Sequence, residues 1–120
     1  MNITRIKIMA DYNCFPLWWK EPHDPGNIDP STLPLSAETI ARLMEWAARY
    51  DATLNKDDPA ASGFPTDEEQ RAFEDAGLEL WRRVREELGA AYDVWYFSDR
   101  YQRLFSHPDE LDAMMASSGE

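Results

Sequence analysis

TDEEQRAFEDAGLELWRRVREELG, residues 66–89, is the stretch from which the fold is read. Thr66 and Glu69 stand at capping-box spacing, where a hydroxyl and a carboxylate each satisfy a backbone donor left over at a helix start. Phe73, Gly77, Leu80, Trp81, Val84 and Leu88 recur every three or four residues and so share one face of the helix that follows. Gly89 is its stop. Acids fill the first half while Arg82, Arg83 and Arg85 fill the last turns, as the macrodipole favours. Glu79 is placed to pair with Arg83 one turn on. A helix so strongly amphipathic requires another layer to cover its apolar face.

Upstream, Asn55 to Pro65 is a loop by its Asp, Gly and Pro content. Before it, Ser36 is an N-cap with Glu38 in the first turn, opening a helix over residues 37–51. Its stripe is read as Ile40, Leu43, Met44, Ala47 and Leu54, flanked by Trp46 and Tyr50. The two helices make a hairpin. Further upstream, ITRIKIM (residues 3–9) alternates Ile6 and Ile8 with Arg5 and Lys7, the period of a half-buried strand. Between that strand and the first helix lie Pro16, Pro22, Pro25, Pro30 and Pro34, rings that forbid a long helix or central strand. This segment, 11–35, is read as a Pro-rich aromatic loop folded over the sheet or the helix ends, with Phe15, Leu17 and one tryptophan completing the core.

Downstream, YDVWYF (residues 92–97) is a strand rich in aromatic and β-branched residues. Ser98-Asp99 turns it toward a partner, RYQRLF, although that turn lacks the glycine that tight hairpins prefer. The expected fold class is α+β. A small two- or three-stranded sheet, in the order β-α-α-β with a possible third strand, is covered by the helical hairpin. One domain spans residues 1–120, with 1–105 as the body and 106–120 as a loosely ordered tail holding at most one helical turn.

The 120 residues include 23 acidic and 12 basic side chains, a net charge of −11. That excess disfavours nucleic acid and anionic membrane as partners, which it would repel, and suits a basic protein. No stretch approaches the length of apolar residues that crosses a bilayer, and one cysteine makes no internal disulfide, so the expected place is the cytoplasm.

Chemistry-bearing constellations are sparse. Cys14 and His23 suggest a thiol nucleophile, but no helix starts near Cys14 to lower its pKa, and a small apolar role fits it better. A metal set from Asp11, Cys14, His23, Asp24 and His107 lacks the paired spacing of zinc ligands, and Asp51, Asp57 and Asp58 lack a calcium-loop pattern. No cofactor, metal or catalytic residue is assigned, and no carboxylate stands out by an apolar setting. The acidic segment around Asp51, Asn55, Asp57 and Asp58 is read two ways. It is a loop held by side-chain-to-backbone hydrogen bonds, or an edge that receives a cationic group. Tyr12, Trp18 and Trp19 add aromatic anchors of the kind enriched in interface cores, and one of the two tryptophans should stay partly exposed.

The segments IKIMADYNCFPLW and WAARYDATLNKDDPAASGF, followed by a capped helix and YDVWYF, resemble a family of small uncharacterised bacterial proteins. In that family an M-A-D-Y-x-C-x-P-L-W start and a Y-D-x-T-L-N-x-x-D-P centre recur. The resemblance spans residues 5–97 and implies no chemistry. Size and acidity also resemble the immunity proteins of bacterial toxin systems, a likeness of style that transfers no residue. Together these readings favour a protein-binding module, concretely an immunity-type inhibitor of a basic toxin or nuclease. Tyr12, Trp18, Trp19, Asp51, Asn55, Asp57 and Asp58 are its expected contact residues. The alternatives are a small enzyme or ligand-binding domain, with a pocket between the 11–35 loop and the 50–58 segment, and a protein that self-associates, as a homodimer through an open sheet edge.

Overall fold

A computed structural model describes residues 3–20 and 26–118. Among them the order is β1 (Thr4–Ile8), β2 (Leu17–Trp19), β3 (Asn27–Ile28), α1 (Ala37–Asp51), α2 (Asp67–Leu88), β4 (Tyr92–Ser98), β5 (Arg103–Phe105) and α3 (Pro108–Ser118). The α+β class stands, with five strands in place of two or three, ordered β3-β2-β1-β4-β5. β1 and β4 run parallel at the centre, and every other neighbour is antiparallel.

The two extra strands lie in the segment read as irregular. Pro16 immediately precedes β2 and Pro30 follows β3, so these rings flank the strands and leave their backbone donors free. Runs of two and three residues are too short to show alternation. Asn27 ties the segment together: its side-chain amide donates to the carbonyls of Phe15 (2.7 Å) and Leu17 (3.0 Å), and its oxygen accepts from the Phe15 N–H (2.9 Å). Leu17 and Ile28 are fully packed, whereas Phe15, expected in the core, is 37% exposed.

Ile6, Ile8, Leu17, Val94, Tyr96 and Phe105 point to the helical side of the sheet and are buried. α2 lays Phe73, Gly77, Leu80, Trp81, Val84 and Leu88 against them, the face expected from sequence. Its caps hold in part: the Thr66 hydroxyl accepts from the Glu69 N–H (3.1 Å) and Gly89 takes φ +71°, while the Glu69 carboxylate does not return a bond to the Thr66 N–H. α1 is rotated from the expected stripe. Thr39, Leu43, Trp46 and Ala47 are buried, while Met44 is 39% exposed. Trp46 wins the inward position because its ring stacks on Phe73 at 4.4 Å and its indole N–H reaches the Phe73 carbonyl at 3.0 Å. The expected Glu79–Arg83 pair is exchanged for contacts between helices, with Arg83 to Glu38 (3.0 Å) and Arg42 to Glu79 (3.6 Å).

At the C-terminus, α3 replaces the single expected turn, and it buries Leu111 and Met115 in the core. Glu110 accepts from the Ser106 and His107 N–H groups and fixes its start. The β4–β5 turn manages without glycine by placing Gln102 at φ +52°. On the other face of the sheet, Lys7, Trp18, Trp95 and Phe97 are half-buried and Leu104 is exposed. Their indole donors are satisfied locally, Trp18 by the Met9 carbonyl (3.0 Å) and Trp95 by Asp93 (2.9 Å).

Candidate functional site

β1 ends at Ile8, and the chain turns back through Asp11-Tyr-Asn-Cys14 into β2. Asp11 accepts from the Tyr12 N–H (2.8 Å), and Asn13 adopts the left-handed φ of +61° that Asn tolerates. This turn docks on the last turn of α1. The Tyr12 ring stacks on Tyr50 at 4.7 Å, its hydroxyl meets the Thr53 hydroxyl at 2.9 Å, and the Asn13 N–H donates to Asp51 at 3.0 Å. Beyond α1, the Asn55 side chain accepts from the N–H groups of Asp57 and Asp58, both at 3.0 Å, and the Asn55 N–H donates to Ser62 (2.8 Å). The Gly63 N–H returns to the Thr53 carbonyl (3.1 Å) and closes the loop. Turn chemistry accounts for Asn55, and the Asp57 and Asp58 side chains are left exposed.

The sequence-derived contact residues therefore fall in three places. Tyr12 and Asp51 lie on either side of the docked turn, Tyr12 against Tyr50 and Thr53 and Asp51 on the Asn13 N–H, and Asn55, Asp57 and Asp58 form the adjoining loop. Trp18 lies level with Lys7 on the face of the sheet away from the helices, and Trp19 lies level with Ile6, half-buried against the core. Adjacent strand residues point to opposite faces, so the two tryptophans serve different surfaces.

Next to the Tyr12–Tyr50 stack, a cleft of 200 Å³ opens between the β1–β2 turn, α1 and the β4–β5 turn, lined by Asp11, Trp46, Tyr50, Phe73, Asp99 and Gln102 among others. It sits at the carboxyl end of the parallel pair β1/β4, the end at which sheets with parallel strands present their crevices. Asp11 and Asp99 each follow the last paired residues of β1 and β4, Ile8 and Tyr96, by three positions, and both line the cleft. Asp99 accepts from the Gln70 side chain (3.4 Å), and its carbonyl accepts from the Gln102 side chain (2.8 Å). Burial, and then the charges of Asp99 and Asp11, push the Tyr50 hydroxyl well above its usual range. Aromatic rings continue inward from Tyr50 to Phe73 (5.9 Å), Trp46 and Tyr96, so the walls are fixed by the core.

Asp99 and Gln102 escape a reading of sequence because their relation to Asp11 depends on β1 and β4 being parallel neighbours. Local pattern does not reveal that. Glu74 was also missed: it is a fully buried carboxylate, contrary to the expectation that none stands in an apolar setting. It accepts from the Tyr96 hydroxyl (3.1 Å), the Ser98 hydroxyl (3.1 Å) and the Arg100 N–H (2.9 Å), holding the β4–β5 turn to α2. Its signal was present, since Glu74 stands three residues before Gly77 and four before Leu78 on the packed side of the helix.

The thiol reading of Cys14 is disfavoured, because burial and then Asp11 and Asp51 raise its pKa, the reverse of activation. His23 and Asp24 lie outside the described residues. His107 accepts from the Asp109 N–H (3.2 Å) at the start of α3. Among the described residues, no three His, Cys, Asp or Glu side chains gather to hold a metal ion. No described helix is long and apolar enough to cross a membrane.

A family profile described as Serratia CdiI immunity protein-like matches residues 4–99. The chain belongs to this family. The CdiI immunity protein-like stretch runs from β1 through the start of the β4–β5 turn. It thus includes Asp11, Trp46, Tyr50, Phe73 and Asp99 of the cleft, and leaves Gln102, β5 and α3 beyond its end. No individual curated protein matches the chain.

Proposed function

We propose that this chain is an immunity-type inhibitor that binds and neutralises a basic toxin domain in the bacterial cytoplasm. Membership of the CdiI immunity protein-like family is the observation that carries this reading. The surface supports it: Asp11, Asp51 and Asp99 belong to the corner built by the β1–β2 turn, the end of α1 and the β4–β5 turn, and exposed Asp57 and Asp58 follow in the loop after α1, on a chain of net charge −11. Such a field accelerates encounter with a basic partner and fixes its orientation, while the aromatics beneath it supply apolar contact. The edge strands β3 and β5, of two and three residues, offer little backbone for pairing with a second copy, which weighs against self-association.

The test is protection. If the gene lies directly downstream of a large secreted-toxin gene, the C-terminal domain of that toxin is the partner to try. Cells expressing that domain should stop growing, and co-expression of this chain should restore growth and give a co-eluting complex. Continued killing with no complex would contradict the proposal.

A further inference from the structure

We propose that the face of the sheet turned away from the helices is a docking surface for a protein segment that carries apolar and carboxylate side chains together. The inference rests on the reading above only in taking the toxin domain as the owner of that segment. What the face can hold follows from its own residues.

Three observations carry it. First, the face is apolar and uncovered by any described helix. Trp18, Lys7 and Trp95 stand level on β2, β1 and β4, and Phe97 stands level with Leu104 on β4 and β5. The helices pack on the opposite side, so Trp18, Trp95 and Phe97 lie outside the core, and Leu104 is 38% exposed. Large rings gathered on one open face mark an interaction surface. Second, this face is cationic. Lys7 is level with both indoles, the Lys20 ammonium sits 4.3 Å from the centre of the Trp95 ring, and the Lys20 N–H donates to the Arg5 carbonyl (3.0 Å). Among the described residues, the one carboxylate at these register positions is Asp93, and it is taken up by Arg5 (3.5 Å) and the Trp95 indole (2.9 Å). Neither lysine pairs with a carboxylate among the described residues. A chain of net charge −11 thus presents one face of opposite sign. Third, that sign decides between occupants. Two copies packed face to face about a two-fold axis would set cations against cations. A nucleic acid strand would meet rings and cations, but the acidic remainder of the chain repels its phosphates. Carboxylates on an apolar protein segment match the two lysines while its apolar side chains cover the rings. A toxin domain that is basic elsewhere is still drawn to the acidic corner.

The experiment follows the indole N–H signals of Trp18 and Trp95 in the full chain by NMR, with the buried Trp46 and Trp81 as internal references. The probes are N-acetyl hexapeptide amides that alternate leucine with glutamate, glutamine or lysine, and a uridine octanucleotide. The expected result is a saturable shift of Trp18 and Trp95 with the glutamate peptide, a weaker one with glutamine, and none with lysine or the oligonucleotide. The Lys7→Glu, Lys20→Glu double variant should raise the Kd for the glutamate peptide at least ~10-fold, and the Lys7→Gln, Lys20→Gln variant by less. Unmoved Trp46 and Trp81 signals in both variants report an intact core. Equal binding of the glutamine peptide, a stronger response to the lysine peptide or the oligonucleotide, or unchanged binding by both variants would each overturn the inference. So would shifts of Trp18 and Trp95 on concentrating the chain alone, because a second copy would then be the occupant. If a toxin domain is neutralised but the face ignores the glutamate peptide, the inference fails and the immunity reading survives. If the face takes the peptide but no toxin is neutralised, the docking surface stands and the immunity reading fails.

Discussion

Gly77 faces the Tyr96 hydroxyl so closely that a Cβ there would lie 2.2 Å from it. Helix propensity alone favours alanine at this position by about 1 kcal/mol, but the clash decides the sign. Gly77→Ala is therefore expected to destabilise by about 1–3 kcal/mol in denaturant titrations, and unchanged or raised stability would show that Tyr96 is not fixed. The same ring is held by Glu74, whose carboxyl is pushed above its ordinary value of 4.5 by burial, although the Arg100 N–H and the Ser98 and Tyr96 hydroxyls pull it down. The folded state then binds this proton more tightly than the unfolded state. Glu74 thus contributes stability that is fully present below 4.5 and is lost as pH rises through its raised folded pKa. Asp67 and Glu110, whose pKa values hydrogen bonding lowers, act oppositely and lose their contributions as pH falls. Glu74→Gln should remove the first effect and leave the second. The stability difference between wild type and variant, measured from pH 4 to 8, should shift in the variant's favour as pH rises. A flat difference would mean that Glu74 titrates normally.

At the scale of elements, what was legible in the sequence was what local chemistry determines. The span, caps and packed face of α2 follow from spacing and from Thr66 and Gly89, and they agree with the structure. α1 was placed correctly but rotated, because two apolar stripes compete on it and only the tertiary stacking of Trp46 on Phe73 chooses between them. β2 and β3 were hidden because their order comes from pairing with β1 and from the Asn27 side chain, neither of which short runs advertise. One long-range clamp is equally invisible in sequence. Glu87 near the end of α2 accepts from the Ser36 N–H (2.6 Å) and from the Ser36 and Thr39 hydroxyls, capping α1 from outside. Burial opposes its ionisation, but these donors and Arg83 outweigh it and lower its pKa. Glu87→Ala should cost about 1–2 kcal/mol, the loss of a helix cap, with faster amide exchange confined to the first turn of α1. Exchange that is unchanged there would remove the clamp from this account.

For the whole molecule, charge and size pointed toward an immunity-type protein, and the family match over residues 4–99 bears that out. The cleft was only half legible. Asp11 and the Tyr50–Asp51 end of α1 lay in segments singled out from sequence, but Asp99 joins them through parallel strand pairing. Asp57 and Asp58 test the field without disturbing the fold. Their N–H groups hold the Asn55 turn while their side chains stay exposed, so replacing both with asparagine should change stability by no more than about 0.5 kcal/mol per site. Association should slow, with a shallower salt dependence. The most direct measurement is the stopped-flow association rate of the chain with its toxin domain as salt is raised from about 0.1 M to about 1 M, where the Debye length shrinks from ~10 Å to ~3 Å. Charge-steered recognition predicts a rate that falls at least ~10-fold across that range, whereas a rate indifferent to salt would contradict it.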